Sequence, residues 1–156
     1  MATEIRTADP LDYERIAAVL DAWWGRDVGS ILPRLFLDHF WPTSFVAESA
    51  GNLSGFLVGF LSPADSELAY VHAVAVAPDA RSHGLARELY SRFLTHARAA
   101  GRTRVQAITV PHNHASIAFH EALGFEVSGP VPDYNGPGRD RVVFERRIPH
   151  VEAGNR

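Results

Sequence analysis

The segment from residue 67 to Gly101 constrains the fold more than any other part of the sequence. Residues 67–77 (ELAYVHAVAVA) are almost continuously apolar, which is typical of a strand buried on both faces. A loop over residues 78–84 follows, and apolar side chains then recur every four positions, which predicts an amphipathic helix over residues 85–100 that Gly101 ends. The recurring positions are Leu85, Leu89, Phe93 and Ala97. A buried strand that leads through a short loop into such a helix favours a mixed α/β domain.

Strand and helix patterns alternate along the rest of the chain as well. Strands are predicted over residues 3–7, 44–48, 53–61, 103–110, 125–128 and 141–148. Helices are predicted over residues 10–22, 30–40 and 114–123. Ser30 and Asn113 are predicted to cap two of these helices, and the turn over residues 49–52 joins two of the strands as a hairpin. The alternation predicts a single α/β (α+β) domain over residues 1–148, followed by a solvated tail over residues 149–156.

The composition excludes several kinds of chemistry. The 156 residues are 46% hydrophobic and 21% charged, which is enough to bury one core. The chain has no cysteine, which excludes disulfides, thiolate metal sites and an acyl-cysteine intermediate. It has no lysine either, so a lysine Schiff base and a Walker-type phosphate loop are also excluded. His112 and His114 lack the spacing and the third ligand of a metal site, so no metal is expected.

Charge and hydropathy predict the location of the protein and the classes of partner that it lacks. The net charge of -3 gives no support to nucleic-acid binding, which needs a basic surface. The N-terminal stretch MATEIRTADPLDYERI carries acids and no apolar core of signal-peptide length, and no apolar stretch approaches the roughly 18 residues of a membrane span. We therefore expect a cytoplasmic protein with neither nucleic acid nor membrane as a partner. Arginine in place of lysine, with abundant alanine, favours a bacterial source.

The connection from the buried strand to the following helix is a candidate anion site. Strand-to-helix loops with small residues present unpaired backbone N–H groups at the positive end of a helix dipole, and each dipole contact is worth about 0.3–1 kcal/mol. Arg81 and His83 can add side-chain donors to a bound phosphate. An ordinary strand–helix connection, with Gly84 for tight geometry, explains the same residues equally well.

Two motifs resemble the signatures of one enzyme family. The string Arg81-Ser-His-Gly84-Leu-Ala86 resembles the [Arg/Gln]-x-x-Gly-x-[Gly/Ala] signature of the GNAT superfamily of N-acetyltransferases. Residues 113–125 (NHASIAFHEALGF) resemble the second signature of that family, Asn-x-x-Ala-x-x-x-Tyr-x-x-x-Gly-Phe. The resemblance implies a GNAT-type acyl-CoA N-acyltransferase fold, in which a central mixed, mostly antiparallel sheet is flanked by helices and splayed between its fourth and fifth strands.

The resemblance also implies how acetyl-CoA binds. The backbone of the strand before the loop holds the pantetheine arm, amides of the loop hold the pyrophosphate, and Asn113 reaches the donor from a later loop. The residues so implied are Val74, Ala75, Val76, Arg81, Ser82, His83, Gly84, Leu85, Ala86 and Asn113. A plain helix N-cap explains Asn113 at least as well, and the two roles are compatible.

Two histidines are the catalytic candidates. The family's second signature has a tyrosine where this chain has His120, and that hydroxyl is placed to protonate the departing thiolate; His120 either takes over this general-acid role or merely packs in its helix. His72 is the leading candidate for the base that deprotonates the acceptor amine, since residues 70–76 resemble the strand of arylalkylamine acetyltransferases, which also carries histidine there. Strand alternation places Tyr70 on the same face, where it can share the site or relay a proton through water. A satisfied core histidine is the open alternative for His72, and Glu67 and Asp65 are weaker candidates for the base.

The predicted activity is direct transfer of the acetyl group of acetyl-CoA to a primary amine of a small molecule. The alternatives are a non-catalytic acyl-CoA-binding module of the same fold and a plain α/β interaction domain. The pairs Trp23-Trp24 and Phe40-Trp41 either line an acceptor pocket or belong to the core, and the loop over residues 134–138 is either a plain turn or an acceptor gate. Homodimers are common in the resembled family, so the resemblance implies a possible homodimer.

Overall fold

The computed structural model describes residues 2–25 and 29–149. Over these residues the strands are β1 (Glu4–Thr7), β2 (Phe45–Ser49), β3 (Asn52–Leu61), β4 (Leu68–Val76), β5 (Arg104–Thr109), β6 (Glu126–Val131) and β7 (Arg141–Arg147). The α-helices are α1 (Asp12–Trp24), α2 (Leu35–Phe40), α3 (Leu85–Ala99) and α4 (His114–Ala122), and short 3-10 turns cover Gly29–Ile31, Trp41–Thr43 and Pro78–Ala80. The strands form a seven-stranded mixed sheet in the order β1-β2-β3-β4-β5-β7-β6, which confirms the predicted fold class.

The chain divides into two compact units, and β4 contributes residues to each. The first unit comprises Met1–Phe60 and Val71–His96, and the second comprises Leu61–Tyr70 and Ala97–Arg156. The described part of the chain contains no helix that is both long enough and apolar enough to span a membrane.

The first unit begins with an antiparallel arrangement of β1, β2 and β3. β1 pairs with β2 and β2 pairs with β3, so the predicted hairpin is confirmed. Ala50 and Gly51 form its two-residue turn with φ angles of 52° and 80°, the left-handed backbone that a tight hairpin needs. Leu85, Leu89 and Phe93 on α3 are buried, which confirms the predicted spacing of apolar residues on this helix.

The second helix is shorter than predicted. The sequence predicts a helix over residues 30–40 capped by Ser30, whereas α2 begins only at Leu35. Pro33 explains the difference, because proline has no amide hydrogen and disfavours helical backbone at the residue before it. The N-cap of α2 is Arg34, whose side chain makes no capping hydrogen bond, so the predicted Ser30 cap is wrong.

β4 is buried on one face only, so the prediction of burial on both faces is wrong. The buried face carries Ala69, Val71, Ala73 and Ala75. The half-buried face carries Tyr70, His72, Val74 and Val76. The residues of this strand are apolar on both faces, and such a run does not by itself reveal which face packs against the core. The strand therefore offers one half-buried face to a ligand.

The second unit pairs the start of β4 with β5 and adds the hairpin of β6 and β7. β4 and β5 are parallel over three register pairs, the last of which joins Tyr70 and Gln106. β7 lies antiparallel between β5 and β6. The buried side chains of the second unit include Val105, Ala107, Leu123, Phe125 and Phe144. The predicted tail over residues 149–156 lies, apart from Pro149, outside the described residues.

Candidate active site

The loop between β4 and α3 has the geometry of an anion-binding turn. Ser82 and Gly84 have positive φ angles of 69° and 76°, and both residues are exposed. A Cβ atom added to Gly84 would meet nothing within 4 Å, so the space beside its backbone is open. The amide of Glu88 donates to the Gly84 carbonyl at 3.0 Å and closes the first turn of α3. The amides at the start of the helix stand at its positive end, where backbone N–H groups and the dipole favour an anion.

The side chain of Arg81 contacts backbone carbonyls in this structure. Its Nε donates to the Val76 carbonyl at 3.3 Å, and its Nη2 donates to the Trp23 carbonyl. The guanidinium thereby joins the end of β4 to the end of α1. His83, the other side-chain donor that the sequence predicts for a phosphate, is exposed and lines a cavity of about 390 Å³. The cavity is also lined by Thr3, Ala80, Leu85 and Glu88.

The remaining loop and strand residues predicted to bind the donor lie in the first unit. Val74, Ala75 and Val76 form the last third of β4, and alternate between half-buried and buried positions. Leu85 is buried with 6% of its surface exposed, so its backbone is the part that can face a ligand. Ala86 follows it, half-buried, in the first turn of α3.

Asn113 lies in the second unit and is the N-cap of α4, as the sequence predicts. Its Oδ1 accepts a hydrogen bond from the Ser116 amide at 3.2 Å, and its Nδ2 donates to Thr109 Oγ1 at the same distance. Both ends of the amide therefore stabilise the start of the helix. A contact from Asn113 to the donor stays a prediction.

Gly55 is a residue that sequence reasoning missed. A Cβ atom at this position of β3 would stand 3.1 Å from the Ala75 carbonyl oxygen and 3.3 Å from side-chain carbons of Leu85 and Leu89. The glycine thus lets the start of α3 approach the strands closely, and this fixes the position of the loop between β4 and α3. A glycine inside a strand pattern was the available signal, since it often marks a close approach of another backbone.

His72 is held from two sides within the first unit. Its ring stacks on that of Phe36, with centroids 3.9 Å apart and planes 8° from parallel. Its Nε2 lies 2.6 Å from the Ile31 carbonyl oxygen, which can only accept, so Nε2 carries the hydrogen and donates it. In the neutral ring the lone pair is therefore on Nδ1. The partners Phe36 and Ile31 were not predicted, because neither lies near His72 in the sequence.

The surroundings of His72 keep its imidazole neutral at pH 7. Burial lowers the pKa of His72 below its usual value of 6.5, and the hydrogen bond to the Ile31 carbonyl raises it in smaller part. A neutral imidazole with one nitrogen protonated and the other bearing a lone pair can accept a proton. This is the state that a general base requires.

Tyr70 shares the half-buried face of β4 with His72. Burial, and in smaller part the nearby Tyr134, raise the pKa of Tyr70 to about 12. The phenol is therefore protonated at neutral pH and can donate a proton or a hydrogen bond.

His120 lies in the core of the second unit with 4% of its surface exposed. Its ring stacks on Phe144 with centroids 4.0 Å apart, and Phe119 and Phe125 meet it edge-on. Its Nδ1 lies 2.7 Å from the Ser116 carbonyl oxygen and donates to it. Burial lowers the pKa of His120, and the bond to Ser116 raises it in smaller part. The neutral ring thus uses its one N–H within the helix, which supports the packing alternative.

The aromatic residues of the first unit divide between core and surface. Trp23 and Trp24 are half-buried and pack against the core cluster of this unit. Phe40 packs on Phe60 with ring centroids 4.9 Å apart, while Trp41 is 39% exposed. The two consecutive tryptophans therefore serve the core, and a role of Trp41 in an acceptor pocket stays a prediction.

The loop between β6 and β7 is ordered by its own hydrogen bonds. Asp133 Oδ1 accepts from the Gly138 amide at 2.7 Å, and Asp140 Oδ1 accepts from the Asp133 amide at 2.9 Å. Tyr134 on this loop is 47% exposed. The turn is thus well defined, and its role as an acceptor gate stays a prediction.

Metal-ligating side chains do not cluster in residues 2–25 and 29–149. Over these residues, no group of three or more histidine, aspartate or glutamate side chains could hold a metal ion. His112 and His114 are exposed on either side of the Asn113 cap.

A comparison with protein families agrees with this geometry. The model of the Acetyltransferase (GNAT) family matches residues 13–125, which is more than half of the chain. The chain belongs to the acetyltransferase (GNAT) family. The matched stretch runs from α1 to Phe125, just before β6, and includes both sequence motifs, so the predicted family is confirmed.

Two curated relatives of this GNAT protein carry the names of acetyltransferases that act on amino acids. The L-2,4-diaminobutyric acid acetyltransferase of Nocardia farcinica is 34% identical over 89 residues, which are 57% of this chain and 46% of the relative. The L-methionine sulfoximine/L-methionine sulfone acetyltransferase of Pseudomonas aeruginosa is 34% identical over 94 residues, which are 59% of this chain and 55% of the relative. The chain spans about half the length of these curated relatives.

Solved GNAT structures share the fold over nearly the whole chain. Ard1 from Thermoplasma volcanium superposes with a TM-score of 0.81 at 22% identity, covering 96% of this chain and 100% of that one. The diaminobutyrate acetyltransferase EctA from Paenibacillus lautus, in complex with L-2,4-diaminobutyric acid and coenzyme A, superposes with a TM-score of 0.75 at 21% identity, covering 98% of this chain and 99% of that one. These likenesses confirm the GNAT-type fold.

Proposed function

We propose that this GNAT protein transfers the acetyl group of acetyl-CoA directly to a primary amine of a small molecule. The observation that carries the proposal is an oriented, neutral His72 on the strand that leads into an anion-binding loop. Membership of the family supports it, as do relatives named for the acetylation of diaminobutyric acid and methionine sulfoximine. A structural neighbour in complex with coenzyme A supports the choice of donor.

The donor is held mainly by backbone groups in this proposal. Amides over residues 82–86 bind the pyrophosphate, which suits a chain without lysine, because the charge is met by N–H groups and the helix dipole. The backbone of Val74, Ala75 and Val76 binds the pantetheine arm, and amides of β4 polarise the thioester carbonyl. Acetyl-CoA supplies the activated acetyl group.

The acceptor amine must lose a proton before it can attack, since an alkylamine with a pKa of about 10 is mostly protonated at pH 7. Nδ1 of His72 takes this proton, because Nε2 already donates to the Ile31 carbonyl. The amine nitrogen then bonds to the acetyl carbon and the carbon–sulfur bond breaks. The nitrogen loses its second proton to give the neutral amide, and the sulfur leaves as a thiolate that takes up that proton. The absence of cysteine leaves no acetyl-cysteine relay, so the transfer is direct.

His120→Phe separates the acid role predicted for His120 from a packing role. Phenylalanine resembles the ring in shape and suits its three phenylalanine neighbours, yet it has no proton to donate. From the packing we expect kcat for acetyl transfer to stay within about threefold of wild type. A fall of about 100-fold would instead establish His120 as the general acid.

The same variant should also change how stability depends on pH. Because burial lowers the pKa of His120 in the folded protein, the unfolded chain binds a proton first as the pH falls below the usual value of 6.5. The wild type should therefore lose stability between about pH 7 and pH 5, and His120→Phe should lose less. Denaturant unfolding at the two pH values measures the difference, and equal losses would contradict the burial of a neutral ring.

The surface beside His72 favours an acceptor with an apolar substituent. Ile31, whose carbonyl binds His72, is 40% exposed, and Leu35, which directly precedes the Phe36 that stacks on His72, is 48% exposed. The charged neighbours Arg34 and Asp38 pair with each other at 3.7 Å, so they offer little charge to an acceptor carboxylate. The proposed acceptor is therefore an amine on an aromatic or branched apolar group.

Release of the coenzyme A thiol across a panel of amines tests the proposal. The panel contains arylalkylamines, polyamines, L-2,4-diaminobutyric acid, other amino acids and a peptide with a free N-terminus. Arylalkylamines should show the highest kcat/KM; a preference for diaminobutyric acid would overturn the acceptor class and leave acetyl transfer in place.

A non-catalytic acyl-CoA-binding module is the second candidate function. It is favoured by the burial of His120 at the position where the family has a tyrosine placed to act as the general acid. Binding of coenzyme A with no thiol release on any amine would support this candidate. Failure to bind any acyl-CoA would point to a plain interaction domain.

The proposal includes a cytoplasmic location and a bacterial source. Acetyl-CoA is a cytoplasmic metabolite in bacteria, and the relatives of Nocardia and Pseudomonas are bacterial. The proposal also includes a homodimer, and the mass of the protein in solution, measured by light scattering, tests it.

A further inference from the structure

The guanidinium of Arg81 joins two elements that are far apart in the sequence. It donates to the Val76 carbonyl at the end of β4 and to the Trp23 carbonyl near the end of α1. Gly25 ends α1 with a φ angle of 69°. The last carbonyls of a helix have no partner within it, and a cation there also meets the negative end of the dipole. The planar guanidinium can serve two carbonyls at once because its N–H groups point in fixed directions.

The end of α1 leads to the turn that orients His72. α1 is in contact with the 3-10 turn Gly29–Ile31, and the Ile31 carbonyl accepts the Nε2–H of His72 at 2.6 Å. Trp23 is itself anchored, since its ring stacks on Phe56 with centroids 6.1 Å apart. A series of contacts within the first unit therefore runs from Arg81 through α1 to the imidazole.

We propose that the side chain of Arg81 positions His72 and does not bind the phosphates of the donor. It holds the end of α1, and through α1 the Gly29–Ile31 turn, where the Ile31 carbonyl orients the imidazole. The effect of Arg81 on catalysis rests on the proposed function, in which His72 is the base. The hydrogen bonds that join Arg81 to β4 and α1 do not depend on that function.

The position of Arg81 also couples the donor to the base. Residues 82–86, whose amides bind the pyrophosphate in the proposed function, directly follow Arg81 in the chain. A donor that orders this loop therefore also favours the arrangement that orients His72. Coupling of this kind acts equally in both directions, so an acceptor bound at His72 should tighten the binding of the donor.

A truncated donor distinguishes positioning from phosphate binding. We would measure kcat/KM with acetyl-CoA and with S-acetylpantetheine, which lacks the pyrophosphate, for the wild type, Arg81→Met, Arg81→Lys and Arg87→Met. Arg87 is exposed in the first turn of α3, so Arg87→Met removes the same charge beside the loop without breaking the hydrogen bonds of Arg81. Thermal unfolding of each variant confirms that it is folded.

Arg81→Met should lower kcat/KM about tenfold with both donors, because a misplaced base slows transfer whichever donor is bound. Arg81→Lys should lose less, since an ammonium can still donate to one of the two carbonyls. If Arg87→Met lowers kcat/KM, it should do so only with acetyl-CoA as the donor. A loss in Arg81→Met that is confined to acetyl-CoA would overturn the proposal and make Arg81 a phosphate ligand.

A second measurement does not depend on activity. The Nε2–H of His72 gives a ring-proton NMR signal, which the variant His72→Gln assigns by removing it. In the absence of substrates this proton should exchange with water about fivefold faster in Arg81→Met than in the wild type, and at the wild-type rate in Arg87→Met. An unchanged exchange rate in Arg81→Met would show that Arg81 does not hold His72 in place and would overturn the proposal. If the wild type transfers acetyl from neither donor, the proposed function fails and the exchange rate alone decides the role of Arg81.

Discussion

Gly84→Glu should abolish the binding of coenzyme A and leave the protein folded. Gly84 has a φ angle of 76° and open space beside its backbone, so a side chain there meets backbone strain but no clash. A carboxylate at the N-terminal end of α3 interacts favourably with the helix dipole by about 0.3–1 kcal/mol, yet it repels a pyrophosphate at the same place. We expect the Kd for coenzyme A, measured by calorimetry, to rise about 100-fold or more, a change of about 2.8 kcal/mol.

Gly101→Glu is the matched control for this variant. Gly101 has a φ angle of 82° and nothing within 4 Å of an added Cβ atom, so its backbone strain is similar. It follows α3 at the opposite end from the loop, where a carboxylate has no phosphate to repel. Gly101→Glu should therefore lose stability and keep its affinity for coenzyme A. Unchanged affinity in Gly84→Glu, or an equal loss in both variants, would show that the phosphates bind elsewhere.

His72→Gln should lower kcat/KM for acetyl transfer about 100- to 10,000-fold, the usual contribution of a general base. Glutamine keeps an N–H that can donate to the Ile31 carbonyl, but it has no basic nitrogen. The Kd for acetyl-CoA should stay close to that of the wild type. His39→Gln, at an exposed position of α2, is the control and should leave kcat/KM unchanged.

The pH profile of kcat/KM supplies an independent test of His72. Since burial lowers its pKa below the usual 6.5, the base remains neutral at pH 7, and the fall in rate that belongs to it should occur only below about pH 6.5. This limb of the profile should disappear in His72→Gln. A variant that keeps the limb, or that keeps kcat/KM within about threefold of wild type, would assign the base to another group.

Elements governed by short-range patterns were predicted well from the sequence. The four-residue spacing of Leu85, Leu89 and Phe93 specified α3, and all three side chains are buried. Asn113 accepts from an amide three residues later, so its cap is a local property. α2 was predicted too long because its apolar residues suggested a helix across Pro33, where the backbone cannot continue one.

The candidate site was predicted as a set of residues but not as a set of contacts. The motifs pointed to Arg81 and His120, yet the partners of both side chains include groups far away in the sequence. The Trp23 carbonyl that binds Arg81 is 58 residues from it. His120 stands where the family has tyrosine, and only the packing on Phe144 shows that its ring is enclosed.

The sequence by itself determined the family, the fold class and the absence of cysteine and lysine chemistry, and it predicted where an anion would bind. These follow from residue identity and from spacing along one element, which a linear pattern records. The tertiary structure decided which face of β4 is half-buried, which nitrogen of His72 carries the lone pair, and that the side chain of Arg81 holds α1. Each of these depends on packing or a hydrogen bond between distant segments. Burial and hydrogen-bond partners set the protonation state of a histidine, so its chemistry became definite only when the chain was folded.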